Sequence, residues 1–163
     1  MTRSATARAI GALVTVLALS AVGCGGSGRL SARDYVGQAN EICARADHRM
    51  ARVRFPGIDG SRASWHAAAY LAEVQDEAAA ELSDLRPPSR FAQFDTVWVA
   101  LVRQGASELR RMTDSLRRGE LDAAADEARA VARLTGRADA LAETYGIASC
   151  AGPVFAGPVL SGV

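Results

Sequence analysis

The chain has no lysine; all 19 of its basic residues are arginine, a bias that GC-rich codon usage produces without any binding role. Aromatic residues are scarce at 6%, against a hydrophobic content of 49%, so alanine carries much of the apolar fraction. Alanine is the strongest helix former, which points to helices rather than strands. No apolar run reaches the roughly 20 residues that a spanning helix needs. Charge of either sign is not in excess: the formal net charge is +1, which excludes the global basic footprint of a nucleic-acid binder.

The catalytic fingerprints are missing as well. There is no Gly-x-Ser-x-Gly elbow, no Walker loop and no dinucleotide glycine fingerprint. Only two histidines occur, His48 and His66. Three residues before them stand Arg45 and Ala63, so neither completes the Glu-x-x-His of a di-iron bundle. His-Glu-x-x-His and Cys-x-x-Cys-His are also lacking. These absences imply no metal site, no cofactor and no enzyme; surface histidines are the plain expectation, although Asp47-His48 and Trp65-His66 lie where they could approach across the first interhelical turn.

What is present begins with a targeting segment. Arg3 and Arg8 precede an apolar run at 9–22 centred on Leu13, Val14, Val16, Leu17 and Leu19. This is the layout of a secretory signal. Ala21-Val22-Gly23-Cys24 follows, and it resembles a bacterial lipobox with Ala21 in place of the usual leucine. The resemblance implies cleavage between Gly23 and Cys24, and a thioether from Cys24 to a diacylglycerol bearing palmitate-type chains. Ordinary secretory cleavage after Gly23 is the alternative. Gly25-Gly26-Ser27-Gly28 then reads as a flexible tether, making 24–30 a lipidated cysteine and spacer. Loss of residues 1–23 removes Arg3 and Arg8, and 17 arginines then face 18 acidic residues.

An exported chain with three cysteines has one too many for pairing. With Cys24 lipidated, Cys43 and Cys150 remain, 107 residues apart. An oxidising compartment favours a disulfide between them. Two buried free thiols are the alternative; as metal ligands they lack a third cysteine or a neighbouring histidine.

Residues 31–150 carry four helical patterns. Ser31 with Asp34 reads as a capping box, opening a helix whose face is Tyr35, Ala39, Ile42, Ala46, Met50 and Val53. Phe55-Pro56-Gly57 stops it. A second helix starts between Ser61 and Ser64, buries Ala67, Leu71, Val74, Ala78, Leu82 and Leu85, and ends at Pro87-Pro88. The third runs from Ser89, with Phe94, Trp98, Leu101, Gly105, Leu109, Met112 and Leu116 in register. Gly105 either admits a close neighbour or is a simple propensity cost. After Gly119 the fourth helix carries Leu121, Ala124, Ala128, Val131, Thr135, Ala138, Ala142 and Tyr145, with Gly146 as its C-terminal cap. Short loops predict an all-α, up-down-up-down four-helix bundle with one disulfide, helix four lying beside helix one. Residues 151–163 repeat Ala-Gly-Pro-Val at 151–154 and 156–159, which excludes regular helix and reads as a disordered or loosely packed tail.

Taken together, the lipobox, Ala39-Asn40-Glu41-Ile42-Cys43, the Pro-Pro turn, Gly119-Glu120-Leu121-Asp122 and Tyr145-Gly146-Ile147-Ala148-Ser149-Cys150 resemble a group of small actinobacterial lipoproteins and secreted helical proteins. The resemblance covers residues 1 to about 151 and implies localisation, the cysteine pair and the fold, but no activity.

Three surface features could bind something. Glu73, Glu77, Glu81 and Asp84 form an acidic stripe on helix two that could meet a cation or basic partner, though such stripes are commonly solvated faces. Arg49, Arg52 and Arg54 close helix one, and Arg110, Arg111, Arg117 and Arg118 close helix three. Both arginine clusters fall at one end of the bundle, away from the lipid, as an anion-binding or wall-facing pole. Cations at helix C-termini also complement the dipole by about 0.3–1 kcal/mol each, and Asp114, Glu120, Asp122, Asp126 and Glu127 dilute the charge there. Finally, Trp65, Phe94 and Trp98, with Met112, could line a ligand cavity.

The sequence therefore predicts a membrane-anchored extracytoplasmic lipoprotein, non-enzymatic, that binds or scaffolds an envelope protein or cell-wall partner. The alternative is a carrier of a small apolar or lipidic ligand between the helices, and the third reading is an enzyme of unidentified class.

Overall fold

A computed structural model describes residues 28–151. The signal segment, the cleavage pair Gly23 and Cys24, the first part of the tether and residues 152–163 of the tail lie outside the described residues. Among the described residues there are four α-helices and no strand. They are α1 (Ala32–Met50), α2 (Arg62–Asp84), α3 (Ala92–Arg118) and α4 (Leu121–Thr144), with short 3-10 turns at Ser89–Phe91 and Ala148–Cys150. No helix among the described residues is long and apolar enough to cross a membrane.

Local chemistry sets the helix ends. The Ser31 hydroxyl accepts the Asp34 backbone N–H at 3.1 Å and donates to the Asp34 carboxylate at 2.6 Å. This is the expected Ser31–Asp34 cap, closed through the hydroxyl rather than through the Ser31 backbone. Ser61 caps α2 by accepting the Ser64 N–H at 3.2 Å. Leu85 is already extended, and the helix cannot resume, since Arg86 precedes a proline and Pro87 and Pro88 supply no N–H. Gly119 ends α3 at φ 75°, with the Glu120 N–H reaching back to the Ser115 carbonyl at 2.9 Å.

The anticipated stripes form the core. Tyr35, Ala39, Ile42, Ala46 and Met50 of α1 are buried, as are Ala67, Leu71, Val74, Ala78 and Leu82 of α2. Every α3 position expected in register is buried, and so are Ala124, Ala128, Val131, Thr135, Ala138 and Ala142 of α4. Four expected core positions differ, among them Tyr145, which lies just past the end of α4 and is only partly buried. Val53 and Leu85 fall just outside their helices and are only partly buried. Leu121 is 40% exposed, since it opens α4 at the end of the bundle, and its Cδ2 covers Gly60. Ile147, beyond α4, is fully buried.

Backbones approach most closely between α2 and α3 and between α3 and α4, where alanine and Gly105 remove side-chain bulk. Helix α1 packs on α2 and on the C-terminal 3-10 turn. It faces α4 across a looser seam, close enough for Asp47 and Asp139 to interact. Cys43 and Cys150 are disulfide-bonded with their Cα atoms 5.2 Å apart, so the bond pins α1 to the end of the chain.

Within the span expected as tether, residues 28–30 are held by the bundle. The Leu30 N–H donates to the Arg86 carbonyl at 2.8 Å, and Arg29 Nη1 donates to the Pro87 carbonyl at 3.0 Å. The two carbonyls are free because α2 has ended and Pro88 supplies no N–H in return. The chain therefore joins the bundle at the α2–α3 turn, opposite the pole where α1 ends and α2 begins.

Candidate functional site

The cysteines and their two flanking motifs meet in one clasp. Asn40 Oδ1 accepts the Ser149 N–H at 2.8 Å, and Asn40 Nδ2 donates to the Val36 carbonyl at 2.9 Å. Cys150 Sγ lies 3.6 Å from the Ala39 carbonyl oxygen. Residues 39–43 and 145–150 thus form a single, partly buried joint, and it is structural: the sulfurs are bonded to each other and the amide is spent on backbone.

The three aromatic residues expected at a cavity do not come together. Phe94 and Trp98 are buried and stacked with centroids 5.3 Å apart. Phe94 also stacks on Tyr145 at 4.0 Å, and Phe91 joins edge-on to Tyr35 and Tyr145. Trp98 is 1% exposed and Met112 is fully buried. Trp65 lies at the other end of the bundle under Arg117, which follows Trp98 by 19 residues of α3, about 28 Å along its axis. None of the three surface depressions described here, in the α2–α3 groove, beside Gln38 and Arg45, or at 51–55, is lined by Trp65, Phe94, Trp98 or Met112.

Burial moves several titrating groups. Tyr35 is fully buried and donates its hydroxyl to Asp95 Oδ1 at 2.7 Å, tying α1 to α3. Burial, with that carboxylate beside it, pushes the phenol well above its ordinary range. Burial also raises Asp95, partly offset by the phenol hydrogen bond. Asp47 is pushed up to about 6 by burial. Asp139 is pushed up to about 6 by burial first, then by Glu143 and Asp47. Oδ1 of each is buried without a hydrogen-bond partner among the described residues. No sequence motif marks this pair, which is created by the facing of α1 and α4.

The acidic stripe of α2 is largely an interhelical seam. Glu77 and Glu81 pair with Arg49 and Arg45 of α1, while Asp76 pairs with Arg110 of α3. The matching i,i+4 spacing of Arg45/Arg49 and Glu77/Glu81 on antiparallel neighbours was a readable signal for the first two. Among the described residues no group of three or more histidine, cysteine or acidic side chains could hold a metal ion.

The arginine clusters do share a pole, but not with every member. Arg110 and Arg111 are drawn along the helix flanks by Asp76 and Glu108, and Arg118 pairs with Glu120. Arg52, Arg54 and Arg117 are exposed and, among the described residues, pair with no carboxylate. Arg62, which sequence reasoning missed, joins them. Its Nε meets His66 Nε2 at 3.2 Å, and the His66 ring stacks on Trp65 with centroids 3.7 Å apart. The Arg117 guanidinium sits 5.0 Å over the Trp65 ring. Arg52 Nη2 lies 3.4 Å from His48 Nε2. Residues 51–55 line a shallow depression of about 500 Å³ between Arg52 and Arg54. The nearby Asp59 carboxylate is held down to about 2 by the Ser64 hydroxyl and by Ser61, so it stays ionised beside these arginines. Asp114, Glu120 and Asp122 stand at the same end, so the pole is mixed in charge.

No protein-family model, curated protein or solved structure matches the chain.

Proposed function

We propose that the protein is an extracytoplasmic lipoprotein, processed before Cys24 and held on the outer face of a cell membrane by lipid on that cysteine. Its helical bundle acts as a non-enzymatic binding or scaffolding module of the envelope. The observation that carries this reading is the Cys43–Cys150 disulfide, which uses both cysteines of the bundle and leaves Cys24 as the odd thiol. A structural disulfide fits an oxidising compartment. The signal-like start, the lipobox resemblance and the resemblance to small actinobacterial lipoproteins support the same location. The packing of Phe94, Trp98 and Tyr145 on one another favours a module that works through its surface over a carrier of apolar ligands.

The test is the intact mass of the membrane-extracted protein, with and without reductant. The expected result is loss of residues 1–23, an added diacylglyceryl mass, and a gain of about 2 Da on reduction for the one bridge. An uncut chain with three free thiols would overturn the proposal.

A further inference from the structure

We infer that residues 152–163 dock on their own bundle, as an extended strap laid along the α1–α4 seam past Asp47 and Asp139. Lipid on Cys24 plays no part in this contact, so the mass measurement above and the test below fail separately. The path is set by chain already in place. The 3-10 turn at Ala148–Cys150 packs on both α1 and α4. Ser149 is held by Asn40, and Cys150 is bonded to Cys43, about one turn further along α1. The chain thus leaves α4 and runs beside α1 toward the C-terminal end of that helix. Ile147 is fully buried, and Ala151 still packs against the core.

Beyond Ala151 the seam continues. The next position on that flank of α1 is Asp47, four residues and about 6 Å past Cys43. Asp139 of α4 lies close enough to feel its charge. Close backbone contacts of α1 are with α2 and the 3-10 turn, so the seam toward α4 has room. The positions four and seven before Asp139, on the same side of α4, are Thr135 and Ala132, both small. Both aspartates are half-buried, and Oδ1 of each is buried with no hydrogen-bond partner among the described residues. Buried polar atoms of native proteins are nearly always paired. Backbone N–H groups of an extended segment would pair these oxygens.

The tail is suited to that role. Residues 152–163 carry no charged side chain. Pro153 and Pro158 bar regular helix, so an internal helix cannot satisfy their N–H groups. Val154, Phe155, Val159 and Leu160 bring apolar area to cover the small residues of α4. Extended, the segment reaches at most about 40 Å, against about 28 Å for the whole of α1. The disulfide holds the start of the tail at the seam, giving it an effective concentration there on the order of millimolar. A second copy or a separate peptide has no such advantage.

The test is hydrogen exchange read by mass spectrometry on the full processed protein in nonionic detergent, with a synthetic 151–163 peptide as the free reference. Amides at 154–157 are expected to exchange about tenfold more slowly than in the peptide, or slower still. Ending the chain after Ala151 should speed exchange about threefold or more at 43–50 and 128–142, and leave the α2–α3 contact unchanged. Ala132→Leu fills the seam from α4 and should return the tail to the peptide rate, while Ala140→Leu on the exposed face of α4 should not. Phe155→Ser with Leu160→Ser leaves the bundle untouched and should release the tail too; it decides the matter if Ala132→Leu lowers the melting temperature. Peptide-rate exchange of the wild-type tail overturns the proposal, as does an equal effect of Ala132→Leu and Ala140→Leu. Unchanged exchange at 43–50 after truncation would place the tail in detergent, and protection lost on dilution would place it on a second copy; each overturns the proposal as well.

Discussion

The side-chain carbonyl of Asn40 accepts the backbone N–H of Ser149 across 109 residues of chain, at 2.8 Å. It stands one helical turn from Cys43, so the last turn of the protein is fastened to α1 by an amide and a disulfide together. Replacing Asn40 with alanine leaves the Ser149 N–H without its acceptor in a partly buried place. The expected loss is about 1–2 kcal/mol of unfolding free energy, with a smaller loss for Asn40→Asp, which keeps an acceptor oxygen. Urea unfolding of the oxidised protein measures both. Equal stability of wild type and Asn40→Ala would refute the role.

Reduction acts on the same joint from the other side. The bond closes a loop of 107 residues, nearly the whole folded region. Opening it should cost about 2–4 kcal/mol, chiefly by freeing the unfolded chain. The urea midpoint of the Cys43→Ser, Cys150→Ser variant should fall accordingly. Because the closest backbone contacts of α1 among the described residues are with α2 and the 3-10 turn at Ala148–Cys150, amide exchange should accelerate first in α1 and last at the α2–α3 and α3–α4 contacts. Uniform acceleration would contradict this order.

The burial of Asp47 and Asp139 sets the pH response. Both carboxyls are pushed to about 6 in the folded protein from an ordinary 3.8. The folded state therefore holds more protons than the unfolded state between about pH 4 and 6. The stability these groups contribute is fully present below the unfolded value and is lost as pH rises through the folded one. The melting temperature should thus rise when pH is lowered from 7 to 5. Asp59 works in the opposite sense, but at about 2 in the fold its contribution is lost only below about pH 4. Thermal melts of wild type and of the Asp47→Asn, Asp139→Asn variant check this: the variant should be flatter across pH 5–7. A wild-type melting temperature that falls over the same interval would show that other groups dominate.

At the α2–α3 contact, a Cβ added to Gly105 would lie 3.1 Å from Gln75 Oε1. Gln75 is only 3% exposed, so its amide has little room to withdraw. Gly105→Ala alone gains helix propensity, about 1 kcal/mol, but displaces a buried polar group, and should be net destabilising. In a Gln75→Ala background the same substitution should become stabilising by about 1 kcal/mol. A double-mutant cycle by urea unfolding reads the sign change; the same sign in both backgrounds would show that the two residues are not coupled.

Much of the fold was legible because helices are local objects. The i,i+3/i+4 stripes, Ser31 and Ser61 as caps, Pro87-Pro88 and Gly119 as stops each act within a few residues, and their consequences stand in the structure. Leu121 was misread for the same reason: in register it belongs to the α4 stripe, yet it lies past the end of the core, where only the neighbouring loop at Gly60 covers it. The arginine pole was partly legible. Clusters at helix ends are visible in the chain, but which arginines stay free of carboxylates depends on the acids that neighbouring helices supply. Asp76 and Glu108 removed Arg110 and Arg111 from the cluster, and the Trp65–His66 stack added Arg62.

By itself, then, the order of residues determined helix number, the caps at Ser31, Ser61 and Gly119, most of the inward stripes and the two cysteines left to pair, since each follows from short-range sterics, capping and hydrophobic period. Only the tertiary structure decided that Asn40 meets Ser149, that Asp47 faces Asp139, that Phe94 and Trp98 are spent in the core, and which guanidinium groups remain unpaired. Those outcomes depend on the rotation and offset of one helix against another. That geometry comes from packing summed over the whole interface, and no single segment encodes it.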